Sequence, residues 1–192
     1  MNAESEAVKR AIDIVGAAAG LALAAPLLAV AACAIKLQDA GPVFFRQMRL
    51  GRGEQPFEIL KLRTMTIDAD RIRNDGIVEE GDPRITRVGH LLRRLSIDEL
   101  PQLWNVLRGQ MSMVGPRPLI EDEDRRIGGI MRGRLDLTPG ITGLWQVLGR
   151  TSIPFDEMVK LDYLYVTNWS LWNDVRLILR TLPVVVTRRG AN

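Results

Sequence analysis

The sequence predicts an α+β chain that is predominantly helical, on three observations. An uncharged apolar run lies near the N-terminus, two short strand-like stretches flank a glycine turn, and apolar residues recur at helical spacing through much of the remainder. A length of 192 residues accommodates one compact domain plus a membrane element. The expected division is therefore residues 1–40, an N-terminal membrane helix, and residues 41–192, a domain with amphipathic interfacial helices.

The membrane element comes first. Ile14 to Ile35 is uncharged over about 22 residues, enough for a hydrocarbon core of roughly 30 Å. Pro26 removes a backbone donor near its middle, and the two arms of about 12 and 9 residues are each too short to cross alone. Two readings stay open at this point, a kinked span and a re-entrant helix broken at Pro26. Lys9 and Arg10 before the run, with Lys36, Arg46 and Arg49 after it, suit both ends facing the cytoplasm. A lipoprotein signal ending at Cys33 is disfavoured by Asp13 and Pro26 and by the apolar run continuing past the cysteine. As the sole cysteine, Cys33 forms no internal disulfide, in keeping with a reducing compartment.

After Gly41-Pro42, two strands are expected around the turn Gly51-Arg52-Gly53-Glu54, forming a hairpin. Its basic residues Arg46, Arg49, Arg52, Lys61 and Arg63 fit a solvated edge face, with a phosphate-facing rim as the alternative. Asp68 to Pro83 reads as a polar loop able to act as a lid. Thr86 to Leu95 carries Val88, Leu91, Leu92 and Leu95 at helical spacing, with His90 on its surface.

The chemistry-bearing stretch follows. Asp98 and Glu99 are adjacent where a helix should start. Ser96 as N-cap would complete a capping box with Glu99 but would put Pro101 where an N–H is needed, whereas Asp98 as N-cap puts Pro101 in the tolerant first turn. Either arrangement leaves both carboxylates beside free backbone N–H groups, a place that also suits phosphate. Plain capping is the usual use of such a pair. Arg93 and Arg94 upstream, and Arg117 held between Pro116 and Pro118 downstream, favour anion chemistry, because a guanidinium with little freedom left to lose recognises phosphate well. Pro139 to Gln146 is a second glycine-rich turn whose backbone donors could approach a phosphate. No His and Cys cluster has zinc-ligand spacing, and no Walker or GxGxxG motif is present.

A helix through Asp162 to Tyr165 precedes the segment Trp169 to Arg180, where apolar residues and tryptophans alternate with Asp174, Arg176 and Arg180. That pattern suits either a core-packed helix or the headgroup zone of a membrane. The 26 Lys and Arg exceed the 23 Asp and Glu by a net charge of +3, which favours an anionic partner. Basic and acidic residues are interspersed and no basic stripe is interleaved with aromatics, so no nucleic acid is expected.

Over most of its length the chain resembles the bacterial sugar transferase family, the monotopic polyprenyl-phosphate phosphoglycosyl transferases. The resemblance is carried, in the family's order, by KRAID at Lys9, GPVFFRQMRLG at Gly41, KLRTM at Lys61, DPRITRVGHLLRRLSIDELPQLWNVLRGQMSMVGPRP at Asp82, TPGITGLWQV at Thr138 and LDYLYVTNWSLWNDVRLILRT at Leu161. It implies a re-entrant N-terminal helix at the bacterial cytoplasmic (inner) membrane with the catalytic domain on the cytoplasmic face. It also implies transfer of a sugar 1-phosphate from a UDP-sugar to polyprenyl phosphate with release of UMP, aided by Mg2+. The partners so implied are donor, acceptor and membrane lipids; a homodimer is compatible with the sequence but no interface is specified. The family commonly has Ser-Pro at the membrane break, where this chain has Ala25-Pro26, and the arrangement resembles the smaller members without additional spanning helices.

Position by position, the resemblance puts the catalytic nucleophile on Asp98 and the metal-binding carboxylate on Glu99. It puts active-site polar positions on Lys61, Arg93, Arg117, Arg150 and Asp162. The rival readings are a membrane-anchored, non-catalytic scaffold, which needs neither carboxylate, and an exported lipoprotein binding domain, whose mature chain would start at Cys33. The sugar and the glycan pathway lie outside the motifs.

Overall fold

The apolar N-terminal run forms a single helix, α1, from Ala3 to Gln38. This is seen in a computed structural model that describes residues 2–67, 69, 81–149 and 153–187, with side chains as far as 181. The Asn2 side chain accepts the Ser5 N–H at 3.0 Å, and Glu4 and Glu6 in the first turn complement the helix dipole. The expected break at Pro26 does not interrupt the helix. Losing one N–H and accommodating the ring costs about 3 kcal/mol in a helix interior. Packing on both sides of Pro26 opposes that cost, with Ala17 and Leu21 in one hydrophobic cluster and Ala31 and Ile35 in another.

One stripe of α1 is buried, at Lys9, Asp13, Ala17, Ala24, Ala31 and Ile35, a spacing of four or seven residues that keeps a single face inward. Small residues allow close approach: a Cβ on Gly20 would sit 3.0 Å from Leu103. The outer face shows Val15, Leu23, Val30 and Leu37 at 69, 82, 67 and 89% exposure, an apolar surface with no protein cover among the described residues. By length and composition α1 could cross a membrane.

Polar contacts pin both ends of α1 to the same body. Lys9 donates to Asp174 Oδ2 at 2.6 Å and to the Val114 carbonyl at 2.9 Å, and Asp13 Oδ1 accepts from Ser112 Oγ and the Met113 N–H. Arg10 donates to the carbonyls of Val106 and Leu107. At the far end Gln38 Oε1 accepts the Val88 N–H, and Asp39 pairs with Arg63.

The predicted hairpin forms from β1, Phe44–Leu50, and β2, Pro56–Leu62, antiparallel from Phe44↔Leu62 to Leu50↔Pro56. Phe57, Ile59 and Leu62 of β2 turn inward. Helix α2, Arg87–Arg94, is capped by Thr86, whose hydroxyl accepts the Gly89 N–H at 2.9 Å. His90 is exposed, as expected.

Ser96 then adopts a left-handed conformation, φ 54°, and turns the chain into the 3-10 turn Ile97–Glu99. This corrects the capping expectation. Neither Ser96 nor Asp98 caps the following helix α3, Gln102–Leu107; Pro101 is its N-cap, and the carboxylates lie in the turn ahead of it. A 3-10 turn closes over three residues and fits between Ser96 and the proline without using a side-chain cap.

Strands too short to show a pattern follow: β3, Ser112–Val114, runs parallel to β4, Gly140–Thr142. A short helix α4, Glu121–Asp124, and a 3-10 segment, Gly129–Asp136, lie between them. Beyond β4 come α5, Leu144–Leu148, α6, Phe155–Thr167, and α7, Leu171–Thr187. Val114, Leu137, Tyr165 and Leu177 form one cluster joining β3 to α6 and α7. Helix α7 is core-packed through Leu177, as one reading expected, while Trp172 and Leu179 stay exposed on another face.

Candidate active site

The acidic turn sits on α1. Ile97, next to Asp98, is buried in one cluster with Ala31 and Ile35 of α1, Leu62 of β2 and Leu92 of α2. Asp98 is itself buried, at 9% exposure. Its carboxyl is pushed up to about 6, first by burial and then by the adjacent Glu99, while Lys61 and Arg93 act against the rise. Lys61, at the end of β2, pairs with Glu99 Oε1 at 3.1 Å. Arg93 Nε donates to Thr64 Oγ1 at 2.8 Å, which aims the guanidinium from α2. Burial lowers the proton affinity of Arg93 and Asp98 opposes that. The predicted residues Asp98, Glu99, Lys61 and Arg93 thus come together.

Arg117 and Asp162 form a second cluster. The Arg117 guanidinium lies over Trp145, 4.7 Å from the ring centroid. The Arg117 N–H donates to Asp162 Oδ2 at 3.0 Å. Asp162, 1% exposed, also accepts from Arg134 Nη2 at 3.1 Å, and Arg134 Nη2 donates to the Arg117 carbonyl. Burial lifts the Asp162 carboxyl to about 6 against the pull of Arg134 and of the Arg117 N–H.

Arg49 of β1 joins the two clusters. It donates to the Pro118 carbonyl at 3.2 Å and pairs with Glu123 at 3.5 Å. Its guanidinium is pushed down to about 10 by burial and by Arg117, with Glu123 and Glu99 acting in the opposite sense. Lys61 and Arg93 therefore face the carboxylate pair, and Arg49, which feels both Glu99 and Arg117, links that pair to the second cluster. The arrangement can hold a multiply charged anion while leaving one carboxylate to act as nucleophile or base.

Three parts of the sequence reading need revising or bounding. The hairpin arginines are not a uniform solvated rim: Arg46 pairs with Glu58 in solvent, whereas Arg63 is buried and Arg49 is enclosed by the site. Of the glycine-rich turn after Pro139, Gly140 does not offer its N–H to a phosphate as expected. The Gly140 N–H is taken by the Pro116 carbonyl, and a Cβ at Gly115, Gly140 or Gly143 would overlap neighbouring backbone, so these glycines let two chain segments touch. Arg150 and most of the loop Asp68 to Pro83 lie outside the described residues. The sequence reading missed Arg134 altogether, and the only signal for Arg49 was its place among the hairpin's basic residues.

Among the described residues no group of three or more His, Cys, Asp and Glu could hold a metal alone. One or two carboxylates together with substrate phosphates is nevertheless a usual magnesium donor set, and Glu99 could supply the carboxylate.

Comparison with known proteins gives this site a context. Residues 4–188 match the family model described as bacterial sugar transferase. The UDP-glucose:undecaprenyl-phosphate glucose-1-phosphate transferase of Caulobacter vibrioides is 47% identical over 195 residues, covering 95% of this chain and 71% of that protein. The galactosyl transferase CpsE of Streptococcus agalactiae serotype III is 45% identical, with 95% and 43% covered. The exopolysaccharide production protein ExoY of Rhizobium meliloti is 41% identical, with 95% and 87% covered. The chain therefore spans most of ExoY but less than half the length of CpsE. With the match running through α1, the acidic turn and the Pro-Arg-Pro segment alike, the chain belongs to the bacterial sugar transferase family.

Proposed function

We propose that the chain transfers a sugar 1-phosphate from a UDP-sugar to undecaprenyl phosphate and releases UMP, through a covalent intermediate on Asp98. The observation that carries the reading is a buried carboxylate raised to about 6 within reach of Lys61, Arg93 and Glu99. Such a group is still ionised at neutral pH yet more basic than an ordinary aspartate, which suits a nucleophile. An Asp98 oxygen attacks the sugar-bearing phosphorus, the bond to the bridging oxygen breaks, and UMP leaves. A phosphate oxygen of the lipid then attacks the same phosphorus, the acyl-phosphate bond breaks, and the Asp98 carboxylate is restored.

Arg117 and Arg49 bind the donor diphosphate, and Lys61 and Arg93 stabilise charge at the reacting phosphorus. Arg150 and Asp162 complete the polar set, Asp162 by supporting Arg117. Glu99 would hold Mg2+ together with diphosphate oxygens. The bound ion would neutralise charge that otherwise repels the incoming carboxylate. Relatives named for glucose 1-phosphate transfer and for galactosyl transfer match this chain at 47 and 45% identity, so the sugar is a separate question.

The membrane part of the proposal rests on α1. Its apolar outer face enters the lipid of the bacterial inner membrane, and residues 41–192 stay on the cytoplasmic face. The helix bends at Pro26 without losing its helical course and so is re-entrant; contacts to one body at both Lys9 and Gln38 support ends on the same side. Single cysteines placed at residues 2 and 40 of a Cys33→Ala protein test this: both label with impermeant maleimide from the cytoplasmic side only, and labelling of one end from the opposite side would sink it.

Catalysis is tested by incubating the purified protein with labelled UDP-sugars and Mg2+ without lipid acceptor. The expected result is one burst of UMP and a labelled protein adduct, both absent in Asp98→Asn. An adduct that survives this substitution would refute the covalent role.

A further inference from the structure

We infer that Arg134, which lies outside every recognised motif, is a positioning residue that fixes the reach of Arg117; the inference rests on the diphosphate-binding role proposed above for Arg117. The prolines on either side have no N–H, so the backbone of Arg117 can be held through its own N–H and carbonyl and through neighbouring carbonyls only. Its N–H donates to Asp162 Oδ2 at 3.0 Å. Its carbonyl accepts from Arg134 Nη2, and the same nitrogen donates to Asp162 Oδ2 at 3.1 Å. The three contacts close a ring that passes through both polar groups of the one residue.

Arg134 is anchored from behind. Its Nη1 meets Asp124 Oδ1 of α4 at 3.3 Å, and Asp124 is held in turn by Arg132 at 3.2 Å. Arg134 and Asp162 are each 1% exposed, so water does not compete for the clasp. A planar guanidinium can serve the Asp162, Asp124 and Arg117 acceptors at once, a geometry that a lysine ammonium on a flexible stem does not reproduce. With the backbone clasped and the guanidinium resting on Trp145, Arg117 has little rotational freedom left to lose when it binds phosphate.

A merely structural buried arginine would also destabilise the protein when replaced, so stability alone does not test the inference. The deciding experiment is a double-mutant cycle in the full chain, in detergent, reading kcat/KM for UMP release alongside the melting temperature. Arg134→Met is expected to lower kcat/KM about 100-fold and Arg134→Lys about tenfold. In an Arg117→Ala background Arg134→Met is expected to cost less than about threefold more, while lowering the melting temperature as much as in the parent. Losses that multiply across the two backgrounds, or an Arg134→Met protein with parental activity, overturn the inference. If Arg134→Met does not fold, Arg134→Lys is run through the same cycle under the same criterion. Wild-type protein that releases no UMP refutes the function itself and this inference with it. UMP release that Asp98→Asn abolishes, combined with multiplying losses, refutes the positioning role alone.

Discussion

The acidic turn and the Pro-Arg-Pro turn both bring charge into the interior, and they are built in opposite ways. Around Asp98 the structure accepts unfavourable terms: a left-handed Ser96, two adjacent carboxylates, and a buried Asp98 whose surroundings favour its protonated form. Around Arg117 nearly every backbone polar group is secured. The Gly115 N–H, the Pro116 carbonyl, the Arg117 N–H and carbonyl, and the Pro118 and Leu119 carbonyls all have partners. The difference suits the two tasks proposed for them. A nucleophile gains from an environment that leaves its charge poorly stabilised until it reacts, whereas a binding group gains from having nothing left to rearrange.

The sharpest way to break this comparison is to remove the poorly stabilised charge. Asp98→Asn is expected to reduce UMP release by about 10^4-fold or more while leaving the fold intact, checked by rapid-quench assay and circular dichroism. On the rigid side, a Cβ at Gly140 would overlap the backbone of Gly115 and Thr142. Gly140→Ala is expected to destabilise by about 3 kcal/mol, read from denaturant midpoints.

The same Asp98→Asn protein should be more stable than the parent at pH 7.5, by on the order of 2–3 kcal/mol. The folded carboxyl titrates near 6 and the unfolded one near 3.8, so the folded state binds the extra proton between those values. The Asp98 contribution to stability is therefore favourable at low pH and is lost as pH rises through about 6. The advantage of asparagine should vanish below pH 4, and thermal melts across pH would show it. If Asp98 is the nucleophile proposed above, only its carboxylate attacks, and kcat/KM for UMP release should fall about tenfold for each pH unit below about 6 and level off above it. The smallest effect is expected at Arg46, whose pair with Glu58 lies in solvent: Arg46→Ala should change stability by no more than about 0.5 kcal/mol in the same melts.

Legibility followed the length of the pattern. The hairpin with seven-residue strands and the helix Arg87–Arg94 carry enough pattern to be read directly, and the apolar run Ile14 to Ile35 marked the middle of α1 but not its start at Ala3 or its continuity through Pro26. The pairing of β3 with β4 does not, since three residues hold barely one alternation. The clustering of Asp98, Glu99, Lys61 and Arg93 came through the family resemblance, because β2, α2 and the acidic turn meet only in three dimensions. Arg134 had no signal, because a buried ion network is invisible until α4, the 3-10 segment and α6 are folded together. Arg49 and Arg63 looked like surface charges because nothing in a strand's own sequence says which neighbour covers it.

The contact between Lys9 and Asp174 joins residues 165 positions apart. At about 5–20 residues per second, a ribosome needs roughly 8–30 s to add the partner after Lys9 has been made. If α1 reaches the bilayer as it emerges, it waits there with Lys9 and Asp13 lacking their protein partners. The domain then assembles against a helix already in place, and the final lock closes only when α7 arrives. On that condition, truncation before residue 174 would leave a chain that reaches the bilayer but lacks the partner that closes the Lys9 contact.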